Sequence, residues 1–498
     1  MAAEIGSYGA GRLAAGGTVH EIGGGDLTVV AQSKVYDGPW RQPERLRHYS
    51  GFAKFERPTA LGELELSGQG YRGKWRPTEQ IPERLIGSSL CADAFCSPDP
   101  TATGQTTRLI LNAKLSGEGW KGALYAQHYD WDMYSNPTYA NADASSAQIH
   151  QFDRRQILGF RADRSWTLSD RLDVAIGTEN RFDRIGKVGV VHTDRRVFIE
   201  SYGLYRVHEG SASIYGEATL RPVEGLRITA GLRGDAYRAK VDAKDTEAAA
   251  LGVGKAGDEI VSPKFGAAYK LSDHVEVYGN WGRGFHSNDA RGAVYSTRSV
   301  PLLVKGVGEE IGARFQAAGA SLTATYWRLG LDSELRFVGD SNAVEPSGAS
   351  RRRGYELVAF WRPLAWLALD ASYTASRSRY DNGDHIPNAF ENAAQAGVSV
   401  IRGDWEGSLR VRHLGPSPLV EDNSVRDKGS TVVNARGAYK FPAVNIYAEV
   451  LNIADSKDKD IAYAYESFIP GFDAAPVEGR LSRVVEPRTV RVGIKSLF

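Results

Sequence analysis

Side chains able to hold a ligand gather at two places in this chain. His286, Asn288, Asp289 and Arg291 fall close together in NWGRGFHSNDARG, residues 280–292. They offer an imidazole, an amide, a carboxylate and a guanidinium, a set suited to hydrogen-bonding a polar small molecule. Arg351, Arg352 and Arg353 follow one another directly. Guanidinium groups present planar forks to carboxylates and phosphates. This trio therefore suits an anionic small molecule or, equally, phosphates at a surface. For both groups the plainer reading is loop packing and solvation.

Other chemistry is thinly supported. Asp455–Asp460, DSKDKD, is acidic enough for a cation loop but lacks the glycine that a helix–loop–helix calcium site needs. It reads as a solvated loop, and neither a metal site nor a cofactor is expected. Ser, His and Asp occur throughout, but not as a nucleophile elbow, an HExxH helix or a phosphate loop. No catalytic residue is expected, and the chain does not read as an enzyme. Cys91 and Cys96, in CADAFC, could close a small disulfide loop in an oxidising compartment or remain two thiols. An outer-membrane barrel, which the strand pattern below predicts, must be exported, and that favours the disulfide.

The elements that must carry these residues are strands. The chain has 498 residues, a net charge of +1, 55 Gly, 23 Tyr and only 2 Met. Such neutrality argues against a nucleic-acid partner, which would call for a basic excess. No run of about 18 apolar residues is present, so no transmembrane helix is expected. Barrel strands need only about 9–11 residues with apolar side chains at alternate positions. Leu226, Ile228, Ala230 and Leu232 alternate with Arg227, Thr229 and Arg233. Val490, Val492, Ile494 and Phe498 stand opposite Arg491 and Lys495. A soluble sandwich or propeller also alternates, but here Arg, Glu and Asn fill the polar face in strand after strand, and no helical layer covers the apolar one. A lipid-facing exterior and a wet lumen account for both faces. Lumen-facing Arg227, Arg233, Arg410 and Arg412 are then expected to pair with Asp and Glu across strands.

The breaks between strands alternate in length. Short ones such as Ser116-Gly117-Glu118-Gly119 and Pro442-Ala443 carry turn residues. Long ones such as 76–105, 286–305 and 455–487 are mostly polar. This predicts an all-β transmembrane antiparallel barrel with short periplasmic turns and long extracellular loops. About 21 segments are countable within 9–498. Parity worked back from Phe498 requires one more upward strand before residue 9. Only Glu4-Ile5-Gly6 is left to supply it, so residues 1–8 read as the remnant of a first strand with a tight turn. About 21 strands of an expected 22 are thus predicted. The start, MAAEIGSYGAG, has neither the basic nor the apolar region of a signal peptide, and the chain is expected to be a truncated one.

Several segments resemble the TonB-dependent outer-membrane receptor family, and the resemblance spans essentially the whole chain. They are residues 280–292; LDSELRFVGD, 331–340; PLVEDNSVR, 418–426; Arg353-Gly354-Tyr355-Glu356, like the family's R-G-x-E opening; VLNIAD, 450–455, like its late N-L-F-D box; and the final VEPRTVRVGIKSLF. Ser496 departs from the pattern, since an apolar residue is usual there, and the family's N-terminal plug domain and TonB box have no counterpart. The resemblance implies a bacterial outer-membrane location and uptake of a scarce ligand, most readily a ferric siderophore. Partners implied are membrane lipid and lipopolysaccharide, the barrel-assembly machinery reading Phe498 as its signal, and TonB through the plug alone. The ligand itself is not legible. A plugless, porin-like passive channel is the alternative, and a barrel used by phage or partner proteins is a third.

Overall fold

The computed structural model describes residues 1–296, 299–338 and 343–496. Phe498, read above as the assembly signal, lies outside these, as do Gly339 and Asp340. Twenty-two strands form one sheet in which chain neighbours pair antiparallel and the ends meet. The first strand, Ala2–Gly6, pairs with the second, Ala10–Ile22, and also with the last, Thr489–Ser496. Ala2 stands opposite Lys495 and Gly6 opposite Arg491. The count of about 21 strands is therefore corrected to 22. The stretch taken for a remnant is short, but its backbone satisfies both neighbouring edges, so no edge is left open and no parallel pair is forced. Ser496 fits here as well, because its hydroxyl donates to the Ala443 carbonyl at 3.1 Å.

Tight turns connect strands at one end of the barrel and longer segments at the other. Several strands depart from the expected lengths. Leu172–Asp194 and Val197–Leu220 run on as a tall hairpin, joined at the loop end by Arg195 and Arg196, both at positive φ. Alternation of apolar residues predicts only 171–184 for the first of these. It continues because Ile185, Val188, Tyr205 and Val207 on its inner face are buried under residues that fold in from elsewhere. Alternation predicts a segment over 320–337, but Ala320–Leu331 stops short of that, and Leu335–Val338 pairs instead with Ala343–Pro346.

The two faces differ as the alternation requires. Outward residues such as Ile5, Leu13, Ile214, Ile311 and Tyr355 are left exposed, each above half of its surface. So much uncovered apolar surface is foreign to a soluble monomer. The inner face is laced with ion pairs. Arg233 meets Asp235 at 2.8 Å and Glu179 at 3.3 Å, Arg410 meets Asp370 at 2.5 Å, and Arg227 lies 4.0 Å from Glu276. Arg412 is paired too, at 3.9 Å, but with Asp460 from a loop rather than with a neighbouring strand. Inner tyrosines lie across glycines on adjoining strands, Tyr125 on Gly159, Tyr215 on Gly177 and Tyr278 on Gly312. A Cβ at Gly159 would fall 2.1 Å from the Tyr125 ring. The abundance of both residue types follows from this packing of rings onto bare backbone.

Candidate ligand site at the loop end of the barrel

Buried apolar residues are concentrated at the loop end, in two clusters. The first forms where the segment after strand Val275–Ser287 turns inward onto the tall hairpin. Ala290 and Leu302 pack there with Val188, Tyr205 and Val241, and a single helical turn, Thr246–Leu251, adds Ala248. Asp245 caps that turn by accepting from the Ala248 N–H at 2.8 Å.

This packing fixes three of the four residues singled out in residues 286–291. The Asn288 amide donates to the Pro301 carbonyl at 2.8 Å, while its Oδ1 is buried without a partner. Arg291 grips Asp289 through Nε and Nη2, the shorter contact being 2.6 Å, and its guanidinium lies 5.8 Å from the centre of the Tyr205 ring. Loss of water around it would raise the Asp289 carboxyl, but the Arg291 charge, the hydrogen bonds from its side chain and N–H, and Arg155 together hold the group below the usual carboxylate range. His286 stands opposite Val304, one residue before the strand ends, and is half-buried. Asn288 and Asp289 border a cavity of about 270 Å³ whose other wall carries Arg155, Arg181, Asp183, Glu209 and Tyr237. Arg181 meets Asp183 at 2.7 Å and Arg155 lies 3.6 Å from it. Such a pocket offers donors and acceptors of both signs. That suits capture of a polar, multiply charged molecule.

The arginine trio does not act as one group. The pleat turns Arg352 inward, where it pairs with Glu334, while Arg351 and Arg353 point outward. Arg351 is paired with Asp381 at 3.0 Å. The trio also stands three strands away along the sheet from the 286–291 segment.

The second cluster was not anticipated. The segment after Gly62–Trp75 and the one before Thr489–Ser496 fold onto each other, and Ile81–Pro82 pairs with Val477–Val484, which pairs in turn with Lys459–Ser467. Beneath lie Leu85, Tyr139, Tyr465, Ile469 and Leu481. Cys91 and Cys96 are joined by a disulfide within this cluster, their Cα atoms 5.4 Å apart. Arg84 binds Asp473 through Nε and Nη2, at 3.0 and 2.6 Å, and also bonds Ser467. DSKDKD is not simply solvated. Asp458 accepts from the Thr431 N–H at 2.8 Å and Asp460 pairs with Arg483 at 2.8 Å. Only the paired cysteines hinted at this cap in the sequence. Replacing both with Ser is expected to cost the cap about 2 kcal/mol, the entropy of closing a short loop. Hydrogen exchange of residues 81–91 would read it, and unchanged protection would show that packing alone holds them.

A closed ring of 22 antiparallel strands, with a charge-lined interior and loops packed across one end, defines a large β-barrel. The family model described as TonB dependent receptor-like, beta-barrel matches residues 46–453, and the chain belongs to that family. Membership implies the bacterial outer membrane, a partnership with TonB, and a receptor rather than an enzyme. Among solved structures, the ferric yersiniabactin uptake receptor FyuA from Yersinia pestis has a TM-score of 0.77 at 17% identity. That match covers 100% of this chain and 79% of FyuA. The siderophore receptor PiuA from Acinetobacter baumannii gives 0.79 at 12% identity, over 99% of this chain and 80% of PiuA. The copper transporter OprC gives 0.76 at 16%, over 100% and 79%. At these identities the likeness is one of fold. No curated protein sequence matches the chain.

Proposed function

We propose that this chain forms the barrel of an outer-membrane receptor that captures a scarce ligand at its loop end, and that the ligand is a ferric siderophore. In this reading the tight turns face the periplasm and the packed loops face outward. The observation that carries it is the mixed-charge cavity bounded by Arg155, Asp183, Glu209 and Asp289, held open inside a closed barrel whose outer face is apolar. Ferric chelates are polar and bear several hydrogen-bonding oxygens, which such a pocket can engage. The names of FyuA and PiuA support a siderophore, and that of OprC points to metal uptake more broadly.

A strain lacking this protein is expected to lose growth when one ferric chelate is the only iron source, and to lose it equally when TonB is removed. Growth should return with the intact gene. A defect on cobalamin or a sugar instead would reassign the ligand. Large, ungated conductance of the folded chain in planar bilayers would favour a passive channel.

A further inference from the structure

The outer wall carries a row of arginines that the ligand site does not use. Arg328 stands opposite Arg353, and Arg353 opposite Arg377, on the adjacent strands Ala320–Leu331, Ser350–Leu364 and Leu367–Tyr380. All three side chains are exposed. Their neighbours show which face this is. On the same side, toward the turn end, come Tyr326 and Tyr355, opposite each other, and then Leu357 opposite Tyr373. Tyr355, Leu357 and Tyr373 are exposed, whereas Thr325, on the other face, bonds the inner Tyr278 hydroxyl.

Height along the barrel places the row. Trp361, near the turn end, and Arg353 are eight positions apart on one strand. That is about 27 Å of strand, or about 20 Å of height at a tilt of about 40°. An outer-membrane barrel's apolar band is about 25 Å tall and bordered by aromatic rings. The arginines therefore stand at the upper border of the band, directly above its tyrosines.

The chain neutralises this row only in part. Glu309 stands opposite Arg328, and the Arg328 Nε donates to the Tyr326 hydroxyl at 2.8 Å. Arg353 and Arg377 have no ion pair or hydrogen bond among the described residues. Like charges directly opposite on neighbouring strands are destabilising. An anion lying between them would remove that cost.

We propose that Arg353 and Arg377, flanked by Arg328, bind the phosphates of a phosphorylated lipid headgroup in the leaflet facing the loop end. Adjacent guanidinium forks match phosphate oxygens, and the tyrosines beneath meet the boundary between headgroup and acyl chain. The inference rests on the membrane reading above.

Native mass spectrometry of the folded chain tests it, with bisphosphorylated lipid A, monophosphorylated lipid A and phosphatidylethanolamine as probes. The unmodified chain should retain bisphosphorylated lipid A about tenfold better than phosphatidylethanolamine, with the monophosphorylated form between them; tenfold corresponds to about 1.4 kcal/mol. R353Q/R377Q should erase the preference, while R362Q/R402Q, which removes as much charge at the turn end, should keep it. No preference in the unmodified chain, or equal loss in both double variants, overturns the proposal. A chain that folds in lipid and fails to discriminate overturns this proposal alone. One that does not fold in lipid overturns it together with the membrane reading.

Discussion

Arg84→Ala is expected to open the cap that joins the two longest loop regions. Arg84 spends four hydrogen bonds on Asp473 and Ser467, residues nearly four hundred positions away. Asp473 keeps only 4% of its side-chain surface exposed, and Arg84 keeps 22%. Burial raises the carboxyl, but Arg84 and the Ile469 N–H, which donates at 2.8 Å, together lower it by more, so Asp473 sits below the usual range. Removing the arginine strands a buried carboxylate, a loss on the order of 3–5 kcal/mol. The open fraction of the cap should then rise by at least a hundredfold. Limited proteolysis within residues 86–101 and 468–476 reads this directly: the parent chain should resist and the variant should be cut. Arg84→Lys keeps the charge but loses the fork, and should fall between the two. If the Ala variant resists cleavage as the parent does, the cap is held by Leu85, Leu481 and their neighbours without the clamp.

Lowering the pH is expected to tighten the same region through Glu79. Both carboxylate oxygens of Glu79 accept from the Asn136 N–H, at 2.8 and 2.9 Å. Burial nevertheless pushes its carboxyl up to about 7, with Asp99 adding to the rise against the hydrogen bonds from Ser135 and Asn136. The folded cap thus holds this proton more tightly than the open chain, whose carboxyl ionises near 4.5. Stability is greatest where both forms are protonated. It falls as pH rises from about 4.5 to about 7, and the full penalty, at most about 3 kcal/mol, stands above that. Hydrogen exchange of residues 81–91 and 135–148, corrected for intrinsic rates, should show more protection at pH 5 than at pH 8. Glu79→Gln should flatten the difference by removing the charge. A parent chain equally protected at both pH values would sink the assignment to Glu79.

The barrel was largely legible because a strand's two faces are written in its own residues. Alternation across Leu226–Leu232 needs no distant partner to be recognised, and turn residues mark where strands reverse. Ala2–Gly6 was hard to credit for the opposite reason. Five residues with one large apolar side chain carry little pattern, and what makes them a strand is the edges waiting on either side. The extension of the hairpin past residue 184 likewise depended on Ala290 and Leu302 arriving from more than a hundred residues on.

The residues of the site were named from their types, but not their arrangement. Arg291 was paired with a carboxylate two positions away, within reach of local reasoning. The opposing wall of Arg155, Asp183 and Glu209 comes from strands more than seventy residues earlier. Three consecutive arginines looked like one anion site, and the pleat divided them between lumen and exterior. By itself, then, the sequence determined the class of fold, the parity that demands twenty-two strands, the apolar and polar faces, and the family. Only the tertiary structure decided the closure at Ala2–Gly6, the cap built on Arg84 and Asp473, and which charges share a cavity. The difference is physical: a period of two is a local property of backbone geometry, whereas burial of Glu79 or Asp473 exists only once distant loops have displaced water from around them.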